Sequence, residues 1–354
     1  MNKNFGQRLL AARKQAGLSQ DQLVEKINGE VKKTAIAKYE RSEMMPRFSI
    51  IEKLARALNQ PEDYFFRTLT LDIEKVEFRA KAGISTRRSE MLQQSILSRT
   101  ENYFELEHLM GISTLFTNPL QGIVIYSSHD VETAAETLRQ KWQLGDNPLG
   151  SVMGIFENKG IKVIEIDWDE DFEGYSAYVN KLFPVIVIRE SATTERKRFT
   201  AFHEAAHLLL QFDKTLKAAT IEKLCHYFAG AMLFPKSAYL REVGSVRYRI
   251  NKFEMGLLKD KYGISAQALV RRGENLGVIS RAHTGPMIEI IKQDKYEMHI
   301  GSNRSVDRPT RFDQLITRAL NEGSLSLTKA AMLAGMDFDK FIQYYTDNEH
   351  TINR

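Results

Sequence analysis

The stretch that most constrains this chain is Phe199-Thr200-Ala201-Phe202-His203-Glu204-Ala205-Ala206-His207-Leu208-Leu209-Leu210. Phe199, Phe202, Ala206 and Leu209 recur at the three-and-four spacing of one helical face, and Leu208 and Leu210 widen the stripe. With no Gly or Pro to interrupt it, the spacing predicts a buried helix. Two histidines and a glutamate sit inside it. One helical turn separates His203 from His207, so both imidazoles point the same way and can share one divalent ion at roughly 2.0–2.1 Å each. Glu204 lies beside them, where a carboxylate can take a proton from water that such an ion has made acidic. The alternative is a pair of core histidines bonded to backbone carbonyls. Two unpaired imidazoles on so apolar a helix would cost about 1–3 kcal/mol each, and a shared ion removes that cost.

A catalytic zinc takes three protein ligands and leaves a fourth position to solvent. Beyond the turn residues Gln211, Phe212, Asp213 and Lys214, the segment from Thr220 to Phe234 again has helical spacing (Ile221, Leu224, Phe228, Met232) and stops at Pro235. Glu222 and His226 are four apart and share a face of it. Either can lie opposite His203 and His207 in an antiparallel helix pair, and spacing alone leaves both open.

His203-Glu204-x-x-His207, followed by Glu222, Cys225-His226, Phe228-Ala229 and Leu233-Phe234-Pro235, resembles the ImmA/IrrE family of zinc metallopeptidases. The resemblance implies an α+β, zincin-like domain with His203, His207 and Glu222 as a gluzincin-like set of zinc ligands and Glu204 as catalytic base. The chain departs from the family at His226, where Asn is usual. His226 then either orients Glu222 or competes for the metal, and as a fourth protein ligand it would make the zinc structural.

Composition bounds the rest. A chain of 354 residues, 43% hydrophobic, is long enough for two or three domains with cores of their own. No apolar run approaches a membrane span, and Met1-Asn2-Lys3-Asn4 lacks the apolar stretch of a signal peptide, so a cytoplasmic protein with no membrane partner is expected. Cys225 is the only cysteine, which excludes an internal disulfide and a thiolate zinc cluster.

Charge is uneven. Residues 1–70 hold 13 Lys and Arg against 8 Asp and Glu, an excess equal to the +5 of the whole chain. Phe5 to Ala16 reads as a helix closed by Gly17, and Ser19 caps a second from Gln20 to Ile27. A turn at Asn28-Gly29-Glu30 precedes a third from Lys32 to Glu40. Pro46 and Ser49 open a fourth, with Ile50, Ile51, Leu54, Ala55 and Leu58 as its core stripe. Four short helices with a tight turn make a helix-turn-helix domain, whose third helix offers Lys32, Lys33, Thr34, Ala37 and Lys38 to a major groove. Leu18-Ser19-Gln20-x-x-Leu23, then Ile36-x-x-Tyr39-Glu40-Arg41 and Pro46, resembles the Cro/C1-type domain of the XRE family, with Ser42 where Gly is common. That resemblance implies operator contacts from Gln20, Arg41 and the exposed face of the third helix. A homodimer is expected, because one recognition helix reads a half-site.

A long helical stripe (Met91, Ile96, Tyr103, Leu106, Leu109) marks a connector that can pack on the peptidase domain or pair with a second copy, and the internal packing is expected. Phe78-Arg79 and Leu138-Arg139-x-x-Trp142 read as core anchors. Residues 161–166 and 183–188 read as strands, and the second is expected to hold an extended substrate at a sheet edge. Phe253 to Tyr262 and Ser265 to Leu276 repeat a helix-turn-helix look; two packed helices of a globular domain are the expectation, and the alternative is that Arg271-Arg272 reach nucleic acid. A tail from Arg311 to Tyr345 carries two short helices around Gly335.

The expected architecture is multidomain: an all-α helix-turn-helix domain (1–68), a helical connector (69–115), an α+β metallopeptidase domain (116–280) and a helical C-terminal region (281–354). The expected function is a DNA-binding regulator whose zinc endopeptidase domain cleaves a partner repressor or antitoxin, or its own chain. The alternatives are a non-enzymatic repressor with a sensing or partner-binding metal fold, and an antitoxin whose partner is a toxin.

Overall fold

The computed structural model describes residues 3–67, 85–112, 115–301 and 306–352. Phe78-Arg79, and with it much of the expected connector, lies outside the described residues. The chain forms two compact units, one comprising Met1–Ser113 and Arg311–Arg354, the other Thr114–Thr310.

The first unit begins with α1 (Lys3–Gln15), α2 (Gln20–Lys26), α3 (Lys33–Glu40) and α4 (Phe48–Ala57), closed by a 3₁₀ turn at Glu62–Phe66. Gly17 ends α1 at φ +62°, where a Cβ would meet the Met91 side chain. Ser19 and Gln22 form a capping box on α2: the Gln22 amide donates to Ser19 Oγ (3.1 Å) and the Ser19 amide to Gln22 Oε1 (2.9 Å). Phe5, Leu9, Leu23, Ile36, Leu54 and Phe65 are fully buried at the centre of the four helices, each contributing about 1.5–3 kcal/mol of burial. A long helix, α5 (Thr86–Leu109), turns Leu92, Ile96, Tyr103 and Leu106 inward. It packs on α1 through the Arg8–Glu101 ion pair and a Lys14–Glu90 pair at 2.8 Å, so its stripe is used within its own unit.

The second unit is α+β. It contains β1 (Val124–Ile125), α6 (Ser128–Lys141), α7 (Val152–Asn158), β2 (Lys162–Ile166), β3 (Gly174–Val179), β4 (Phe183–Arg189), α8 (Thr194–Leu209), β5 (Gln211–Phe212) and α9 (Ala218–Leu233), then α10 (Lys236–Val243), α11 (Lys252–Tyr262), α12 (Ala266–Asn275), α13 (Arg281–Gln293) and α14 (Tyr296–His299). β4 runs parallel to β2 and antiparallel to β3, in the order β2-β4-β3, and β1 pairs with β5 in a separate short ladder. The strand at 183–188 is therefore central and has no edge to offer a substrate. The edge strand beside α8 is β3, in a segment whose small and polar residues hide its strand character from a search for apolar runs.

Two buried ion pairs tie this unit together. Arg272 on α12 bonds Glu132 on α6 through both nitrogens (2.7 and 2.6 Å) and donates its Nε to Phe234 O (2.9 Å). With 1% of its surface exposed it cannot reach nucleic acid, and Arg271 pairs with Glu274. Arg198 on α8 meets Asp307 at 2.9 Å, whose carboxylate also accepts from Ser151 Oγ and the Val152 amide at the start of α7, both at 2.8 Å.

After Thr310 the chain returns to the first unit as α15 (Arg311–Asn321), α16 (Leu327–Ala334) and α17 (Phe338–Ile352). Leu315, Ile316, Ala319, Ala330, Leu333 and Phe341 enclose Leu106 of α5. Asn102 of α5 donates to Leu333 O at 3.0 Å.

Candidate metal centre and DNA-facing helix

Thr193 starts α8, its side chain accepting from the Arg196 amide, and the helix stays unbroken to Leu209 because its sequence holds no Gly or Pro. Its faces are divided among partners. Ala201, Phe202, Ala205 and Leu209 enter the core. Thr200, Glu204 and Leu208, one turn apart, meet Gly174, Ser176 and Tyr178, which alternate along β3. His203 and His207 turn toward α9, whose Phe228, Ala229 and Met232 fill the same core.

On α9, Glu222 lies opposite the two histidines. The Nε2 atoms of His203 and His207 are 3.3 Å apart, and they stand 3.4 and 3.5 Å from the two carboxylate oxygens of Glu222. A tetrahedral ion with bonds of roughly 2.0–2.1 Å requires ligand atoms about 3.3–3.4 Å apart. The side chains keep 12%, 24% and 33% of their surface exposed, so solvent reaches the point on which they converge. Two neutral imidazoles and one carboxylate therefore fit a divalent metal ion with an open position.

His226 is not one of the converging ligands. Its ring packs on that of His203 with centroids 4.4 Å apart and on Phe199 at 5.9 Å. His226 is exposed by surface area, yet partial desolvation by its neighbours, then the nearby Arg196 charge, lowers its pKa below the ordinary histidine value.

Four residues that sequence reasoning left without a role lie beside His207 or Glu204. Cys225 Sγ lies 3.6 Å from Nδ1 of His207, on the side away from Glu222. Its position three residues after Glu222 on a helix is the signal that places it there. Ser176 donates to Glu204 Oε2 at 2.8 Å. At Gly174 a Cβ would stand 2.5 Å from Thr200 Cγ2 and 3.0 Å from Glu204 Oε1. Tyr175, between them, is pushed up to about 12 by burial and the Glu204 charge.

In the first unit Lys32, Lys33, Thr34, Lys38 and Arg41 are exposed and Ala37 is half-buried, while Ile36 and Tyr39 anchor α3 from behind. Gln20 donates to Glu40 Oε2 at 2.8 Å, and Glu40 also binds Arg13 through both carboxylate oxygens. This network fixes the start of α2 against the end of α3. Lys33 pairs with Asp21 at 2.6 Å, and Arg41 with Glu43 at 2.6 Å.

Fold and site together define a helix-turn-helix protein that carries a metallopeptidase-like α+β domain. Residues 9–65 match the family model described as Helix-turn-helix, and residues 156–274 match a peptidase family model described as IrrE N-terminal-like domain. Together the two matches agree with an XRE-type helix-turn-helix fused to an ImmA/IrrE domain. No curated protein matches the chain. Among the described residues no helix is long and apolar enough to cross a membrane.

Proposed function

We propose that this chain is a cytoplasmic, homodimeric transcriptional regulator. Residues 1–68 bind operator DNA, and a zinc endopeptidase domain within 116–280 cleaves a partner protein such as a repressor or antitoxin. The observation that carries the peptidase reading is the convergence of His203, His207 and Glu222 at tetrahedral spacing, with Glu204 one residue along the same helix. A divalent zinc held there supplies Lewis acidity to a peptide carbonyl and raises the acidity of water. Glu204 takes the proton from the attacking water and returns it to the leaving amine. The outer edge of β3 pairs with the backbone of an extended substrate beside α8. On the DNA side, Lys32, Lys33 and Lys38 reach phosphates, Gln20 and Arg41 flank them, and Thr34 and Ala37 face base edges.

The reading is tested by incubating the zinc-loaded protein with proteins encoded beside it and looking for a new fragment. Glu204→Gln is expected to bind zinc as the parent does and to lose cleavage by about 10²–10⁴-fold. Undiminished cleavage by that variant overturns the role given to Glu204.

A further inference from the structure

The edge strand holds the Glu204 carboxylate by a contact that the metal ligands do not explain. Ser176 is 5% exposed and Glu204 9%, and the Ser176 hydroxyl donates to Glu204 Oε2 at 2.8 Å. Two residues earlier on the same strand face, Gly174 brings backbone against the other side of the carboxylate. A methyl group there would stand 3.0 Å from both Oε1 and Cγ of Glu204. Two residues later, the Tyr178 hydroxyl donates to Leu208 O at 3.1 Å, pinning the next turn of α8 to the same strand. Strand residues two apart advance about 6.6–6.8 Å and helix residues four apart about 6 Å. The pairs 174/200, 176/204 and 178/208 therefore stay in register. In that register position 176 is the one facing Glu204, and its side chain carries a donor suited to a carboxylate.

We propose that Ser176 is a positioning residue for Glu204. Its hydrogen bond to Oε2 fixes the carboxylate rotamer, and the absence of a Cβ at Gly174 leaves room for Oε1 in that rotamer. The inference rests on the metallopeptidase reading of the site and deepens it. A carboxylate left without this hydrogen bond samples other rotamers, and groups placed loosely by even 1 Å lose much of their effect.

The test uses binding as well as turnover. The full chain is titrated with zinc by calorimetry, and the zinc-loaded protein is then titrated with acetohydroxamic acid, which chelates the ion and hydrogen-bonds to an adjacent carboxylate. Ser176→Ala is expected to bind zinc as the parent does and acetohydroxamate about tenfold more weakly, the worth of one hydrogen bond to a charged group. Ser176→Thr, which keeps the hydroxyl, is expected to restore most of the loss. Should Ser176→Ala fail to fold, Ser176→Cys keeps the volume with a weaker donor and reads the same change. Equal acetohydroxamate affinity in parent and Ser176→Ala overturns the proposal alone. So does a loss of zinc affinity that matches the loss of acetohydroxamate affinity, because Ser176 would then be supporting the fold. A parent protein that binds no zinc overturns the proposal together with the metallopeptidase reading.

Discussion

Nε2 of His203 and Nε2 of His207 lie 3.3 Å apart at the mouth of a helix pair, and the carboxylate of Glu222 spans both. Donors so close on three side chains are held together most readily by a shared cation. Adding zinc at 100 times its dissociation constant should stabilise the second unit by about 2.7 kcal/mol. Thermal unfolding with zinc and with a chelator measures this, and Glu222→Ala should abolish the difference. A melting curve indifferent to zinc in the parent protein would sink the ligand assignment.

His226 distinguishes an open metal centre from a closed one. Its ring packs on His203 without joining the three converging ligands. We expect His226→Asn to weaken zinc binding by about tenfold, in keeping with a group that steadies a ligand. His203→Ala should abolish binding at the same metal concentrations. If both variants lose zinc equally, His226 is a fourth ligand and the hydrolytic reading fails.

The Glu132–Arg272 pair makes the stability of the second unit pH-dependent. Burial pushes the Glu132 carboxyl up, but the hydrogen bond and charge of Arg272 outweigh it, and the net shift is downward. A depressed carboxyl contributes stability that is full above its unfolded value, near about 4.3, and is lost as pH falls through the lower folded value. Glu132→Gln leaves the Arg272 charge buried and should cost about 3–5 kcal/mol at pH 7. The gap between the urea midpoints of the two proteins should narrow as pH falls below about 4.3; a gap that widens on acidification contradicts the assignment.

Among the residues proposed to contact DNA, the lysines at and within α3 are not equivalent. Lys33 already pairs with Asp21 at 2.6 Å, whereas no such pair is seen for Lys32 or Lys38 among the described residues. Replacing Lys32 or Lys38 with Ala should each reduce the slope of log affinity against log salt by about 0.9, the signature of one lost phosphate contact. Lys33→Ala should change it less. Fluorescence anisotropy on one duplex across a salt series reads all three, and identical slopes would remove α3 from the interface.

Local spacing in the sequence determined α8 and α9, the pairing of imidazoles on one face of α8, the helix-turn-helix and the two strands at 162–166 and 183–189. Those features depend on residues within one or two turns of each other, which is where apolar periodicity and caps act. Spacing left Glu222 and His226 as equal candidates to meet the histidines. Only the packing of α9 on α8 decided that the Glu222 carboxylate faces both and that His226 stacks beside them. Strand order was likewise out of reach, since pairing joins residues distant in sequence. The central place of β4 and the edge place of β3 follow from which side chains the helices cover. The same non-local packing buried Arg272 against Glu132 rather than leaving it for nucleic acid, brought α15–α17 back onto α5, and set Ser176 against Glu204. A serine in a strand says nothing of its partner until the helix beside it is in place.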